Sequence, residues 1–394
     1  MVRLLPHKGK GVEISPDSSI LPKQANRMPA LFIDAERLRD LNSGLGQVCL
    51  HLGRELIRQQ PSSHDGEPWK LTFLVPKGQT GIFGDTVDYV EAWWLRKLWI
   101  SGQFDVWHCL HQNSAYLPRT GQGKLMLTIY DLNFLERVDY SDAKKARKLA
   151  TLQRKINRAS LLTAGSGFTG QVVREHLHIP ASLPFPVVHT GVAVDPAKTP
   201  DQLPADSPIR HFTESPFLFF VGVIHPKKNV HTLLPLLEAF PDYRLVLAGP
   251  DGHPYAGHVR EQARKLGVAD RLLMPGPVDE STKLWLYAHC EAFLFPSLSE
   301  GFGLPVAEAM TFGKPVFISN LTSLPDVGGK EAYYFDSFEP ESMAKVLHDG
   351  LHDFGQNPLR QQRMQKRATG FSWPLVAGEY WKLYRELAGE TGRS

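Results

Sequence analysis

Apolar runs of roughly four to eight residues alternate with helical patterns of roughly ten to fifteen, and the alternation occurs in two blocks. A strand that returns parallel to its neighbour needs a crossover about that long, so the pattern specifies parallel sheets with helices on both faces. The first block opens at Ala30 with "ALFID" and continues through "KLTFLVP", "FDVWHCL", "KLMLTIYDL" and "SLLTAGS" to the run "PFPVVHTGVAV". Between these runs the spacing predicts a helix after "LNSGLGQ" with Val48, Leu52, Leu56 and Ile57 on one face. It also predicts a tryptophan-rich helix over 91–100 and a long basic helix over 141–160. Strands of the second block are "FLFFVGVI", "YRLVLAGP", "RLLMPG", "AFLFPS" and "PVFISN", with helices expected over 230–240, 258–267, 281–290 and 305–313.

A polar stretch from Asp195 to Ser215, studded with Pro196, Pro200, Pro204 and Pro208, separates the blocks and reads as a linker. The expected organisation is an irregular extension over 1–28, a Rossmann-like domain over 29–200, a second over 208–371, and a terminal helix within 372–394 that packs back across the linker. No internal sequence repeat is visible. The fold class is α/β, with two doubly wound domains facing a cleft.

Composition narrows the function classes. The 394 residues include 44 basic and 41 acidic ones, a net charge of +3, which is no concentrated basic face for nucleic acid. Cys49, Cys109 and Cys290 are few and unspaced, against a disulfide scaffold or structural zinc. No apolar run approaches a membrane span, and the basic N-terminus (Arg3, His7, Lys8, Lys10) lacks the apolar stretch of a signal peptide. The expectation is a cytoplasmic protein.

Chemistry is expected beyond the carboxyl ends of the strands. "VGVIHPKKN" places Gly222 after a strand and then Lys227, Lys228 and Asn229 at what reads as a helix start. Cations there oppose the helix dipole unless an anion arrives; in isolation, two solvated lysines read equally well. "LAGPDG" offers Gly249 and Gly252 for close approach of a ligand. The most informative segment is "FPSLSEGFGLPVAEAM". Glu300 follows the strand, Gly301 to Leu304 form a flexible arc, Pro305 suits a first helical position, and Glu308 lies eight residues after Glu300. Amide donors flanked by carboxylate acceptors suit a polyol phosphate. The structural alternative is a surface Glu300 and a Glu308 that serves the helix dipole.

Glu300-x7-Glu308 within "EGFGLPVAEAM…GKPV", preceded by "VGVIHPKKN", resembles the retaining, nucleotide-sugar-dependent glycosyltransferases of the large family numbered four, which have the two-domain GT-B fold. The resemblance covers most of residues 30–385, strongly in the second half and more loosely in the first, where "SGLG", "FDVWHCLH", "TIYDL" and "TGVAVD" fall in the expected order. It implies that Lys227 and Lys228 hold the donor diphosphate. Glu300 and the amides of Phe302, Gly303 and Leu304 would hold the transferred sugar, Glu308 the ribose, and Val278 the base. Gly222, Asn229 and Gly249 would belong to the same donor site. Gly44 and Gly46 would form a loop that closes on the phosphates and acceptor, with His108, His111, Tyr130 and Asp131 on the acceptor side. Two positions depart from the pattern. Val223 stands where many members have arginine, and Tyr130 where a histidine commonly touches the donor sugar.

The implied activity is hexosyl transfer with retention, without metal or cofactor, to a saccharide or lipid-linked acceptor in bacterial polysaccharide or lipopolysaccharide assembly. "PKKN" resembles members that use GDP-mannose; a UDP-sugar is the alternative donor. A catalytically silent nucleotide-binding partner is the rival from another class, and a phosphorylase or epimerase on the same fold a third. Two further features stand apart. The basic helix over 141–160, with Leu149, Leu152 and Ile156 as its apolar stripe, either docks on anionic lipid at the inner membrane surface or is a solvated outer face. Trp93, Trp94, Trp99 and Trp107 are expected in the core, with an acceptor platform as the alternative.

Overall fold

The structure, a computed structural model, describes residues 28–389 apart from 42, 63–67 and 98. Nearly all of the extension expected over 1–28 therefore lies outside the described residues. The first sheet comprises β1 (Ala30–Asp34), β2 (Lys70–Pro76), β3 (Asp88–Ala92), β4 (Val106–Cys109), β5 (Lys124–Ile129) and β6 (Leu161–Ala164). Its order is β3-β2-β1-β4-β5-β6, and every pair is parallel. Helices α1 (Gly44–Arg58), α2 (Asp142–Ile156) and α3 (Gly167–His176) cover it. The α1 helix starts where Ser43 Oγ accepts the Gly46 amide at 3.1 Å, and it buries Val48, Leu52 and Leu56. Gly46 is required here because a Cβ would lie 2.0 Å from the Asp40 carbonyl oxygen.

The second sheet comprises β7 (Phe217–Val221), β8 (Arg244–Ala248), β9 (Leu272–Gly276), β10 (Ala292–Phe295), β11 (Val316–Ser319) and β12 (Tyr333–Phe335). Its order, β12-β11-β10-β7-β8-β9, repeats that of the first sheet when counted from its own first strand. Around it lie α4 (Pro208–Phe212), α5 (Leu236–Ala239), α6 (Pro254–Lys265), α7 (Glu280–His289), α8 (Leu304–Thr311), α9 (Leu324–Gly328), α10 (Pro340–Gln356) and α11 (Pro358–Thr369). Central strands are buried on both faces, as parallel sheets require.

The last helix, α12 (Trp373–Ala388), follows the second sheet in sequence and packs on the first. Trp381 Nε1 donates to the Leu56 carbonyl of α1 at 3.1 Å, and Val376, Ala377, Tyr380 and Tyr384 are buried in the core shared with β1, β2 and β4. The return is pinned where the Val192 amide donates to the Phe371 carbonyl at 2.7 Å.

Four local expectations are corrected. Residues 91–100 are no helix: β3 takes Glu91 and Ala92 into the sheet edge, and one 3-10 turn follows at Trp94–Lys97. Pro235 splits 230–240 into a 3-10 turn at Val230–Leu233 and the short α5, because a proline nitrogen cannot donate within a helix. The helix expected from residue 258 begins four residues earlier, where His253 caps and Pro254 opens α6. "PFPVVHTGVAV" contributes isolated bridges at Val187 and Val192 in place of a strand.

The loops after β7 and β8 lie so close that a Cβ on Gly249, whose φ is +129°, would sit 2.1 Å from the Gly222 carbonyl oxygen. Gly249→Ala is expected to cost at least about 2 kcal/mol. Gly252→Ala, with nothing within 4 Å of the added carbon, should stay within about 0.5 kcal/mol of wild type. Denaturant unfolding of the two variants checks the contrast.

Candidate active site

In each sheet the crossovers leave in opposite directions from two adjacent central strands, β1 and β4 in the first and β7 and β10 in the second. A crevice opens beyond the carboxyl ends of such a pair. In the second domain those ends carry the lysine turn and the Glu300 loop.

After β7, His225 Nδ1 accepts the Lys227 amide at 3.2 Å and starts a 3-10 turn, Pro226–Lys228. Asn229 closes it in the left-handed region at φ 54°, a conformation asparagine tolerates. The lysines therefore do not sit on an α-helix, and the dipole argument made from sequence does not apply to them. Their charges are met by carboxylates. Lys228 Nζ pairs with Glu300 and lies 4.9 Å from the Phe295 ring centroid. Lys227 Nζ reaches across the cleft to Glu136 Oε2 at 2.9 Å.

After β10, the Glu300 amide donates to Thr322 Oγ1 at 3.0 Å, and Ser323 Oγ donates to the carbonyls of Glu300 and Phe302 at 2.9 and 3.0 Å. These bonds shape the arc that ends at Gly303, φ +104°, the cap of α8. In the first turn of α8 Pro305 carries no N–H and the Val306 amide donates to the Gly303 carbonyl at 2.9 Å, which leaves the Leu304 amide for a ligand. Leu304 is its first residue and Pro305 its second, so Glu308 stands one residue further in than the sequence suggested, at the start of the second turn. Glu308 accepts from Tyr287 Oη at 2.8 Å and lies 3.6 Å from Lys283 Nζ. Burial raises its pKa, while Lys283 and the Tyr287 bond oppose that rise.

The first domain supplies the opposite wall. Gly44, at the start of α1, faces Leu304 with its Cβ direction 4.0 Å from Leu304 Cδ1. Ser166 Oγ donates to the Gly301 carbonyl at 3.2 Å, and the Phe168 amide donates to Asp326 at 2.9 Å, so the domains touch through direct hydrogen bonds. Asp131 lies in a cavity of about 290 Å³ with Glu300 and Gly301, and in another of about 760 Å³ with Gln112, Phe134, Tyr140, His225 and Lys227. Burial raises the Asp131 pKa. A third cavity, of about 500 Å³, joins Glu308, Lys283 and Leu304 to His51 of α1 and Trp373 of α12.

The structure thus gathers Lys227, Lys228, Glu300, Leu304, Glu308, Gly44 and Asp131 at the cleft. Gly222, Asn229 and Gly249 shape the loops beneath it, with Phe302 buried against the core and Gly303 capping α8. Val278, half-buried between β9 and α7, packs on the second-domain core. Gly46 is a packing residue under the cleft loop rather than part of its surface.

Two acceptor-side expectations are corrected. His108 has no exposed surface; its Nδ1 bonds Tyr384 Oη at 2.7 Å and its Nε2 bonds Thr128 Oγ1 at 2.8 Å. The Tyr130 side chain is buried in the core that α12 shares with the first sheet. The Tyr130 backbone, however, borders the cleft: a Cβ on Gly301 would lie 3.0 Å from the Tyr130 carbonyl oxygen. Residues that sequence reasoning missed are Glu136, Lys283, Tyr287, Gln112 and Asp326. None belongs to a local motif, and only the fold brings them to the cleft.

Residues 204–370 match the family model for glycosyl transferases group 1. They form a group 1 glycosyltransferase domain. Over 288 residues the chain is 26% identical to O-antigen chain mannosyltransferase B of Escherichia coli, covering 70% of this chain and 74% of that one. It is 30% identical over 167 residues to the serotype-specific mannosyltransferase WbdA of Escherichia coli, 41% of this chain and 20% of that much longer protein. In fold it is similar to Anabaena HepE, solved in complex with UDP and glucose, at a TM-score of 0.66 and 16% identity over 91% of this chain and 99% of the other. Sucrose-phosphate synthase of Thermosynechococcus elongatus aligns at the same TM-score and 15% identity, covering 93% of this chain and 100% of that one. With two six-stranded parallel sheets facing one crevice, the architecture is GT-B.

Beneath the first domain, burial holds His108 neutral, with its pKa lowered to about 3. The unfolded chain takes up that proton near pH 6.5. The stability this histidine contributes is therefore present above pH 6.5 and is lost as pH falls toward 3, by about 1.4 kcal/mol per unit. His111 acts in the same sense; Asp34, raised by burial to about 6, acts in the opposite one between pH 3.8 and 6. His108→Gln should remove one proton from the pH dependence of unfolding across pH 4–6, as read from denaturant midpoints at each pH.

Proposed function

We propose that the protein transfers a hexose, with retention of configuration, from a nucleotide sugar to a saccharide or lipid-linked saccharide in bacterial polysaccharide or lipopolysaccharide assembly. Mannose from GDP-mannose is the favoured donor. The observation that carries the reading is the placement of Lys227, Lys228 and Glu300 just beyond strand ends of the second sheet, with Glu308 on α8 close by, in the wall that faces the first domain. The mannosyltransferase names of the relatives favour the sugar.

In this reading the donor diphosphate takes the place of carboxylates at Lys227 and Lys228. Glu300, released from Lys228, accepts hydrogen bonds from the sugar hydroxyls. Glu308, held by Tyr287 and Lys283, accepts them from the ribose. The bond between the anomeric carbon and the leaving phosphate oxygen breaks as the acceptor hydroxyl forms its bond on the same face. The acceptor's proton passes to that departing oxygen. The lysines and the Leu304 amide stabilise the negative charge left on the diphosphate, an effect often worth several kcal/mol. Asp131, in the cavities on both sides of this point, faces the incoming acceptor.

A uridine nucleotide sugar, of the kind HepE binds, is the alternative donor. Thermal unfolding with GDP, UDP and ADP separates the two, since a nucleotide at about 100 times its Kd stabilises by ~2.7 kcal/mol. GDP alone is expected to shift the transition. A shift with UDP alone reassigns the donor, and no shift with any nucleotide overturns the nucleotide-sugar reading.

Substitution tests the division of labour. Glu300→Ala should lower the transfer rate by at least about 100-fold and leave nucleotide affinity within a few-fold. Glu308→Ala should weaken nucleotide binding by roughly 10- to 100-fold, the loss expected for hydrogen bonds to a charged acceptor. Full activity in both variants would refute the assignment.

A further inference from the structure

Thirteen large apolar residues are exposed among the described ones, and four of them fall within seven positions: Trp93, Trp94, Leu95 and Trp99. Their exposures are 47%, 68%, 36% and 56%, so the core packing expected from sequence holds for Trp107 alone of the four tryptophans. An exposed apolar cluster of this density marks an interaction surface, whereas single exposed apolar residues need no explanation. Asp88 beside it is neutralised by Lys70 at 2.9 Å, and Glu91 accepts the Gly78 amide at 2.8 Å.

The cluster shares its layer with the basic helix. Ile100 and Phe104, which follow the tryptophans, belong to the same core as Leu152 and Ile156 of α2; the other face of the sheet is covered by α1 and α12. From Lys144 to Arg158 there are seven basic residues and no acidic one. Some of these charges are used internally. Lys155 donates to the carbonyls of Gln112 and Ser114, Arg158 donates to the Pro118 carbonyl, and Lys144 and Lys148 lie against the Tyr140 ring. Arg147 and Arg154 are exposed and Lys145 half-exposed, and none of the three pairs with a carboxylate among the described residues. Val138, fully exposed, stands just before α2 at the rim of the 760 Å³ cavity.

From this juxtaposition we infer that the outer layer formed by Trp93, Trp94, Leu95, Trp99 and α2 docks on an anionic lipid bilayer. Tryptophan combines a large apolar body with one N–H donor and suits the boundary between headgroups and acyl chains. The unopposed cations complement anionic headgroups, and stable peripheral attachment needs two such signals together. No helix among the described residues is long and apolar enough to cross a membrane, so the attachment is peripheral in kind. A protein partner would more commonly bury aromatic residues within a rim of mixed charge than beside a one-sign helix. Where the acceptor is lipid-linked, a point that rests on the proposed function, docking sets the rim at Val138 against the surface that presents it.

Sedimentation with vesicles of phosphatidylcholine, alone or mixed with phosphatidylglycerol, tests the inference on the full chain. The wild type should bind the mixed vesicles, release them at molar salt, and shift its tryptophan emission to the blue on binding. Replacing Lys145, Arg147 and Arg154 together by glutamine should lower partitioning roughly 100-fold, at about fivefold per cation. Trp94→Ser combined with Trp99→Ser should shrink the blue shift to the part that Trp93 reports and weaken binding at every salt concentration, while Leu359→Ser, at an exposed apolar residue of the other domain, should change nothing. Unaltered thermal unfolding of the variants, and an unaltered nucleotide-induced shift, would show that fold and cleft are intact and keep this test separate from that of the proposed function. A wild type that stays in solution with anionic vesicles, or variants that partition as it does, would overturn the inference and leave the cluster to a protein partner.

Discussion

Parallel strands can be joined only by crossovers, and each crossover carries the chain from the carboxyl end of one strand back to the amino end of the next. All the loops that follow strands therefore gather along one edge of each sheet. Two sheets with the same order, set with those edges facing, place the turn after β7, the arc after β10, the start of α1 and the loops after β4 and β5 around one crevice. The chemistry of the cleft follows from this constraint. Its residues come from segments as far apart in sequence as Gly44 and Glu308, and no local structure would assemble them.

The relation between the domains depends on α12. Its polar side chains enter a buried network beneath the first sheet: His108 bonds Tyr384 and Thr128, Thr128 lies 2.7 Å from Thr163 Oγ1, and Tyr380 Oη lies 3.4 Å from Thr128 Oγ1. Such groups are costly to bury alone and specific when each has its partner. Around them Trp69, Trp381, Val376 and Ala377 supply apolar burial. A helix that follows the second domain in sequence is thus part of the first domain's core, and the chain crosses the cleft twice. The backbone of Tyr130 links this core to the cleft wall beside Gly301. Tyr130, where the sequence resemblance leads one to expect a histidine, is accordingly a packing residue.

Central strands were legible because burial on both faces demands continuous apolar runs, as in "FLFFV" and "KLMLTI". The edge strands β3 and β12 were not. No residue of "DYVEA" is fully buried, and "YYF" is only three residues long, so neither carries the composition of a buried run. Glu300, Glu308 and the lysines were legible as a motif, since each lies within a few residues of a strand end. Their partners Glu136, Lys283 and Tyr287 depend on tertiary placement and left no local pattern. The exposed tryptophans illustrate the opposite failure. Residue type alone suggested burial, but the segment crosses the outside of the sheet with Ile100 and Phe104 as its inward anchors.

The electrostatics of the crevice bear on what can enter it. Lys227 and Glu136 are each more than a third exposed, and an ion pair of that kind contributes about 0–1 kcal/mol, so an anion displaces Glu136 from Lys227 at little cost. Lys228 and Glu300 are more enclosed, at 20% and 14% exposure, and separating them strands two charges unless each finds a new partner at once. An inorganic anion satisfies the lysine only and leaves the carboxylate without a donor. A ligand that joins a phosphate to neighbouring hydroxyls satisfies both, with the phosphate at Lys228 and the hydroxyls at Glu300. In the proposed function this pairing favours a sugar phosphate over a bare anion, before any contact with the base or the acceptor is made.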